Sequence, residues 1–377
     1  MLDVGVAVFD ANIPNNYDDQ IKENISPDVR RAEGNFIAFT LKTMLQSTGN
    51  WGAVRVVPRT TNAVDVMVHG SILNSDGARL QLEVTVIDSS GKLWFTRKYE
   101  SLSSKYAYDA GVPAGIDPFQ SIYKQIADDM QVYRLTLTEA DVTRIRTVGE
   151  MVFARDFAPD AFSSYVQSNK NGQITIKRLP APDDPMLGRI RKVREREYLF
   201  VDTLDEYFAE YQRTMYKPYQ SWRQATYEEA ISYRQLEAQA RARMIAGIAA
   251  VGAGVAGEFS DNPNVQAAGM IGIIGGAMTI KSAMDKSAEA KIHSEVLQEL
   301  GTSAEAEITP HTIELENQTV RLTGTVDAQY TEVRKILRQI YYKELGLASP
   351  DAPPEVANEI SPEQPTAPAS VEPVAGS

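Results

Sequence analysis

The chain has 377 residues, of which 43% are hydrophobic and 23% are charged, a balance typical of globular domains with substantial cores. Acidic residues number 50 and basic residues 38, giving a net charge of −12. This charge argues against nucleic acid as a partner, because a phosphate backbone attracts a basic surface. The sequence contains no cysteine, which excludes disulfides, thiol catalysis and cysteine-based zinc sites.

Residues 1–135 predict an α+β domain. Alternating apolar residues from Leu2 to Val8 predict a strand with one buried face, and an amphipathic helix follows it and ends at Gly49. Asp117 is predicted to cap a last helix over 119–133. Further strands are predicted over 54–57, 64–68, 80–86 and 93–99, with turns at 74–77 and 88–92. This order predicts a sheet with helices packed on it.

Several sequence segments in the first third of the chain resemble a known family: GVAVFD, VRVVP, VDVMVHGSI, LQLEVTVIDSSGKLWFTRKY and IADDM. Together they are similar to the small α+β domain of bacterial envelope proteins, found at the N-terminus of TolB and in curli-secretion (CsgG-like) lipoproteins. The resemblance implies a periplasmic or outer-membrane-associated binding and assembly module of a Gram-negative bacterium, often lipid-anchored and often oligomeric. It implies no catalytic residue. Because a strand follows Met1 directly, we expect Met1 to replace a removed targeting segment, such as one that ends in a lipidated cysteine.

The middle of the chain predicts helices. Residues 138–180 form a helical linker region that starts at a capping box of Thr138 and Asp141. Residues 186–304 predict a long helical hairpin, in which Pro218 should kink or break the first helix. Its packing seam follows alternating steps of three and four residues through Val201, Leu204, Phe208, Tyr211 and Met215.

The tip of this hairpin, residues 244–284, consists of two Ala/Gly-rich apolar arms joined by the polar turn SDNPN. Small residues spaced along each arm predict a glycine zipper, where two helix backbones approach closely. They are Ala249, Ala253, Gly257, Gly269, Gly272 and Gly276. Long cations flank the base of the arms at Arg241, Arg243 and Lys281, where they can reach a membrane interface.

Two interpretations of the tip stay open. Each arm has about 14–16 largely apolar residues, fewer than the roughly 20 that an upright membrane span needs. The tip therefore inserts into a membrane at the limit of the required length, or packs against other copies in a protein assembly. In both cases we expect more than one subunit, since one hairpin cannot cover both of its own faces.

The C-terminal part, residues 305–346, predicts a β-hairpin around Glu316-Asn317 followed by a helix. This hairpin forms a unit of its own or completes the N-terminal sheet. Residues 347–377 are acidic and rich in proline and alanine, a composition typical of a disordered tail.

No motif in the sequence points to a catalytic reaction. The run GAGVAG at 252–257 has the letters of a dinucleotide-binding loop, but an Ala-rich helix precedes it instead of a strand. His69, His293 and His311 are too widely separated to predict a metal site. Asp128-Asp129 predict a solvated helix face, and Asp183-Asp184 predict a helix cap. The sequence therefore predicts a protein that is not an enzyme and uses no cofactor and no metal.

These observations predict a non-enzymatic, oligomeric scaffold or pore-forming assembly protein associated with the outer membrane. Its glycine-zipper hairpin would pack subunits together and contact the membrane. The expected partners are further copies of the chain, as in a ring, the bacterial membrane, and another envelope protein. The alternative is a soluble periplasmic adaptor that uses the hairpin as a docking arm for one partner protein.

Overall fold

The structure, a computed structural model, describes residues 1–23, 25–58, 61–109, 111–112, 116–253, 311–315, 318–322 and 326–351. Within these ranges, side chains are described except at 21–22, 228–229, 232–253, 311–315 and 318–322. The fold is mixed α+β, with a five-stranded sheet, several helices and a C-terminal strand pair and helix. The predicted fold class is confirmed.

The sheet is built from the predicted strands in the order β2-β1-β3-β4-β5. Strand β1 lies between β2 and β3 and runs parallel to both, while β3, β4 and β5 form an antiparallel meander. The bounds are β1 Val4–Ala7, β2 Val54–Val57, β3 Val66–Ser75, β4 Arg79–Asp88 and β5 Leu93–Leu102. Alternation along β4 places Leu80, Leu82, Val84 and Val86 in the core.

Helices pack on one face of this sheet and around its end. Helix α1 spans Tyr17–Lys22 and α2 spans Pro27–Ser47. Helix α3 spans Gln120–Leu135 and lies over β5, with Tyr99 bonded to Asp129. The other face of β4 and β5 carries polar cross-strand pairs, among them Thr85 with Thr96.

The predicted linker region contains helix and strand. Helix α4, Glu139–Phe157, begins at the predicted capping box, where the Thr138 hydroxyl accepts the Asp141 amide and the Asp141 carboxylate accepts the Thr138 amide. A short helix α5, Pro159–Phe162, and a hairpin of β6 Val166–Ser168 with β7 Ile174–Ile176 follow it. This hairpin was not expected from the sequence.

A single long helix, α6, spans Pro185–Ala253, or 69 residues. At 1.5 Å per residue its length is about 100 Å. It begins at the predicted cap, because the Asp184 carboxylate accepts the backbone amides of Met186 and Leu187. The helix also continues through Pro218, so the predicted break at this proline does not occur. Buried packing of Met215 and Tyr219 on either side of the proline explains why the helix continues.

The C-terminal segment follows the predicted order. Strands β8 His311–Leu315 and β9 Gln318–Leu322 pair with each other, and in the described part of the chain they do not join the five-stranded sheet. Helix α7 spans Val326–Glu344 and buries Tyr330, Val333 and Leu337. One apolar core includes side chains of the sheet and of α2, α3, α4, α6 and α7.

Candidate functional site: the anchor of the long helix

Helix α6 packs along the α+β unit with one continuous stripe. The predicted seam residues Val201, Leu204, Phe208, Tyr211 and Met215 are all buried. The stripe continues at its C-terminal side through Tyr219, Arg223 and Thr226, which are also buried. The spacing predicted the buried side of α6 correctly. Its contacts are with α2 and β2 of the α+β unit, where the sequence predicted the seam of a coiled coil or helical bundle, and the buried stripe is longer than predicted.

Arg223 is the most unusual residue of this stripe, since none of its surface is exposed to solvent. Its Nη1 lies 2.8 Å from Asp117 Oδ2, in the turn that precedes α3. The same Asp117 carboxylate accepts the Phe119 amide at 2.8 Å. The predicted cap is therefore wrong by two residues: α3 begins at Gln120 with Phe119 as its N-cap, and Asp117 holds the turn before the helix. Asp117 also binds the guanidinium of a helix 106 residues further along the chain.

Aromatic rings enclose the Arg223 guanidinium. Its carbon Cζ lies 3.8 Å from the ring centre of Tyr219, 4.9 Å from that of Phe119 and 5.7 Å from that of Phe36. Burial by itself disfavours the charge, but the attraction of Asp117 outweighs it and raises the pKa of Arg223 well above its usual value. The side chain is therefore a permanently charged group that three rings and one carboxylate hold.

A second carboxylate, Glu33 of α2, extends this cluster. Its Oε1 accepts the Tyr219 hydroxyl at 2.6 Å and the Ser75 hydroxyl at 2.5 Å. Its Oε2 lies 3.3 Å from the Nε of Arg30, and both side chains are almost fully buried. Burial raises the pKa of Tyr219 well above its usual value, so this phenol remains a hydrogen-bond donor. We call Glu33, Asp117, Tyr219 and Arg223 the helix anchor.

The turn between β3 and β4 touches α6 directly at the anchor. A side chain added to Gly77 would place its Cβ 1.9 Å from the Arg223 carbonyl oxygen and 2.6 Å from the Tyr227 amide nitrogen. Only glycine allows this approach. The Gly77 carbonyl also accepts the hydroxyl of Tyr108, whose ring centre lies 5.7 Å from that of Tyr227. Sheet, loop and helix therefore meet within one turn of Arg223.

The N-terminal half of α6 has a second buried polar contact, with α7. Glu197 is fully buried, and its Oε1 accepts the Tyr330 hydroxyl. Its Oε2 lies 3.5 Å from the Nε of Arg334, which also pairs with Asp156 of α4. Burial raises the pKa of Glu197, while the charge of Arg334 opposes that rise. Helices α4, α6 and α7 are thus joined by a hydrogen-bonded network.

Ion pairs between these contacts hold α6 against the edge of the sheet. Arg55 of β2 binds Asp202 at 2.5 Å, and Lys42 of α2 binds Asp205 at 2.7 Å. The Val56 amide also donates to Asp205 at 3.4 Å. Helix α6 therefore lies along the outer side of β2 and also contacts α2.

The residues predicted to pack in the hairpin tip lie mostly outside the described residues. Ala249 and Ala253 are in the last two turns of α6, four residues apart and so on one side of the helix, and Arg241 and Arg243 are in the same helix. Their side chains are among those not described. Gly257, Gly269, Gly272, Gly276 and Lys281 lie outside the described residues.

Asp128 and Asp129, which the sequence predicted to be a solvated helix face, both form ion pairs. Asp129 does not face solvent alone, since it accepts the Tyr99 hydroxyl at 2.7 Å and pairs with Arg97 at 2.6 Å. Asp128 pairs with Lys124 on the same helix. Within the described ranges, no three His, Asp or Glu side chains are grouped in a way that would hold a metal ion.

A polar cleft of about 370 Å³ lies between α4, α6 and the start of the sheet. Its most buried group is Asp65, whose Oδ2 accepts the Asp3 amide at 3.0 Å and faces Arg146 at 3.7 Å. Burial raises the pKa of Asp65. The lining residues are Asp3, Asp65, Thr143, Arg146, Thr147, Glu150, Arg194 and Tyr198, which place opposite charges next to one another.

Comparisons with known proteins add no family to this geometry. No protein-family model matches the sequence. The search of curated proteins also gives no match. In the part of the chain that the structure describes, no helix is both long enough and apolar enough to cross a membrane.

Proposed function

We propose that this protein is a non-enzymatic, oligomeric scaffold of the bacterial cell envelope, associated with the outer membrane on its periplasmic side. The α+β unit would serve as a platform that fixes the direction of α6. The hairpin tip, which begins within α6 at Met244, would assemble subunits and contact the membrane. The supporting observation is the continuity of α6, which runs without a break from the buried helix anchor into the first Ala/Gly-rich arm.

The length of α6 supports separate roles for the α+β unit and the hairpin tip. From Arg223 to Met244, where the apolar arm begins, the helix adds 21 residues, or about 31 Å. A buried ion pair is stable only when its two charges are held in the right geometry. The pair in the helix anchor therefore fixes the position of α6 more closely than apolar packing alone would. The arrangement therefore favours an arm presented at a distance from the domain.

The test is the size of the purified full chain, measured by light scattering with and without detergent. In the Gly272→Leu/Gly276→Leu variant, we expect the assembly to fall apart, because leucine would keep two helix backbones from approaching at those positions. Gly188→Leu is the matched control, since a Cβ at Gly188 of α6 meets no atom within 4 Å. An unchanged particle size in the double variant would contradict the zipper.

The detergent dependence separates the two candidate roles of the tip. A particle that needs detergent to stay in solution, and that binds to lipid vesicles after a salt wash, supports a membrane scaffold. A wild-type chain that is a monomer without detergent and does not bind vesicles would overturn the proposal. It would favour the alternative, an adaptor whose hairpin docks on one envelope protein.

A further inference from the structure

The two edges of the five-stranded sheet differ. The outer side of β2 is covered by α6, through Asp202 and Asp205. Strand β5 is the last strand at the other edge, and none of the described strands pairs with its outer side. It is ten residues long, and Leu93 and Leu102 at its two ends are both more than half exposed. A strand edge of this kind presents backbone donors and acceptors to a further strand.

The side chains of β5 divide into two rows. Arg97, Tyr99 and Ser101 point toward α3, where the first two bind Asp129 and the third binds Ser121. Thr96, Lys98 and Glu100 lie on the open face opposite Thr85, Glu83 and Gln81 of β4. Lys98 lies 3.7 Å from Glu83 and its side chain is 72% exposed, and Glu100 accepts the Gln81 amide. The open row therefore places a cation and an anion two residues apart.

Two copies of this row, related by a two-fold axis, have complementary charges. When two antiparallel copies of a strand are related by a two-fold axis, each side chain faces one from the same row. With Tyr99 on the axis, Lys98 faces Glu100 of the partner subunit, and the contact occurs twice. Moving the axis to Lys98 or to Glu100 instead sets like charges opposite one another, which is unfavourable. Of these three registers, charge favours the one centred on Tyr99.

We propose that the outer edge of β5 pairs antiparallel with the same edge of a second copy, centred on Tyr99, so that one sheet continues across both subunits. This contact is isologous and closes as a pair, so it is separate from any contact of the hairpin tip and does not rest on the proposed function. Lysines on edge strands also serve to prevent strand addition. In that role, Lys98 would keep the edge unpaired, and the experiment below distinguishes the two roles.

The chain lacks cysteine, so introduced thiols report the register directly. In the proposed register Thr96 faces Leu102 of the partner subunit. We expect full-length Thr96→Cys and Leu102→Cys proteins, mixed under mild oxidation, to form a mixed disulfide faster than either protein links to itself. Leu93→Cys mixed with Leu102→Cys is the control, since these two positions do not face each other. A mixture that cross-links no faster than its components would overturn the proposal.

Charge reversal tests the cause of the register. Lys98→Glu in both reporter proteins should slow the cross-linking about tenfold, because two attractive contacts become repulsive. Adding Glu100→Lys to both should restore the rate. Glu83→Lys is the matched control, since it also removes the Lys98 contact within the subunit but lies one strand inside the edge. Slowing by Glu83→Lys as large as by Lys98→Glu, or no restoration in the doubly reversed proteins, would overturn the assignment.

Discussion

The Arg223 guanidinium lies 2.8 Å from the Asp117 carboxylate, with Arg223 fully buried and Asp117 nearly so. A buried charge without its partner is far less stable than a buried pair, so this contact allows one position of α6 on the domain. Two nitrogens of Arg223, Nε and Nη2, have no hydrogen-bond partner among the described residues. The rings of Phe36, Phe119 and Tyr219 surround the guanidinium and help to stabilise its charge.

Asp117→Asn should strongly destabilise the protein, since it leaves the Arg223 charge buried and unpaired. We expect a loss of about 3–5 kcal/mol in the free energy of unfolding, measured by urea denaturation. Replacing both residues, as in Asp117→Asn/Arg223→Met, should cost less than the single change, because no unpaired charge remains. A single change that costs no more than the double one would show that the ion pair does not anchor the helix.

Tyr219→Phe should remove the hydroxyl that donates to Glu33 and leave a buried carboxylate oxygen with one donor fewer. We expect a cost of about 1–3 kcal/mol in the free energy of unfolding. Tyr207→Phe is the matched control on the same helix, because Tyr207 makes ring contacts with Phe208 and Tyr211 but is only partly buried. The prediction fails if the two substitutions have the same effect on the urea midpoint.

Gly77→Ala should be harmful and Gly188→Ala should be favourable, although both replace glycine by alanine. A Cβ at position 77 would overlap the backbone of α6, and relieving that overlap should cost about 1–3 kcal/mol. A Cβ at position 188 meets open space in a helix, where alanine is favoured by up to about 1 kcal/mol. Thermal unfolding of both variants checks the opposite signs, and a mild effect at position 77 would mean that the turn moves away from α6.

Glu197 should make stability depend on pH. Burial raises its pKa in the folded state, so the folded protein holds a proton that the unfolded chain releases above about pH 4.5. This contribution stabilises the protein at low pH and is lost as pH rises from that point through the folded-state pKa. Glu197→Gln removes the titration, so its free energy of unfolding relative to wild type should increase from pH 4 to pH 7. A difference that is constant with pH would contradict this.

Local patterns predicted the strands of the five-stranded sheet, the capping box of α4, the cap of α6 and the buried side of α6, because each depends on residues that are close in sequence. Val201 to Met215 could be placed from their spacing alone. Arg223 was missed because an arginine is normally counted as a surface residue, although it continues the seam at steps of four from Met215 and Tyr219. Its partner could not be predicted, since Asp117 is brought to it by the tertiary fold. Asp129 of α3 was misinterpreted for the same reason, since its partners Arg97 and Tyr99 are on β5.

Because α6 continues without a break beyond the helix anchor, a small tilt at the anchor produces a large displacement at the far end of the helix. Ala253 lies 30 residues past Arg223, which corresponds to about 45 Å of helix. A tilt of about 10° at the anchor would move the end of such a helix by about 8 Å, close to the spacing between two packed helices. Small changes in the contacts among Gly77, Asp117 and Arg223 are therefore amplified at the far end. A variant that only loosens these contacts can misplace the tip without changing one residue of it.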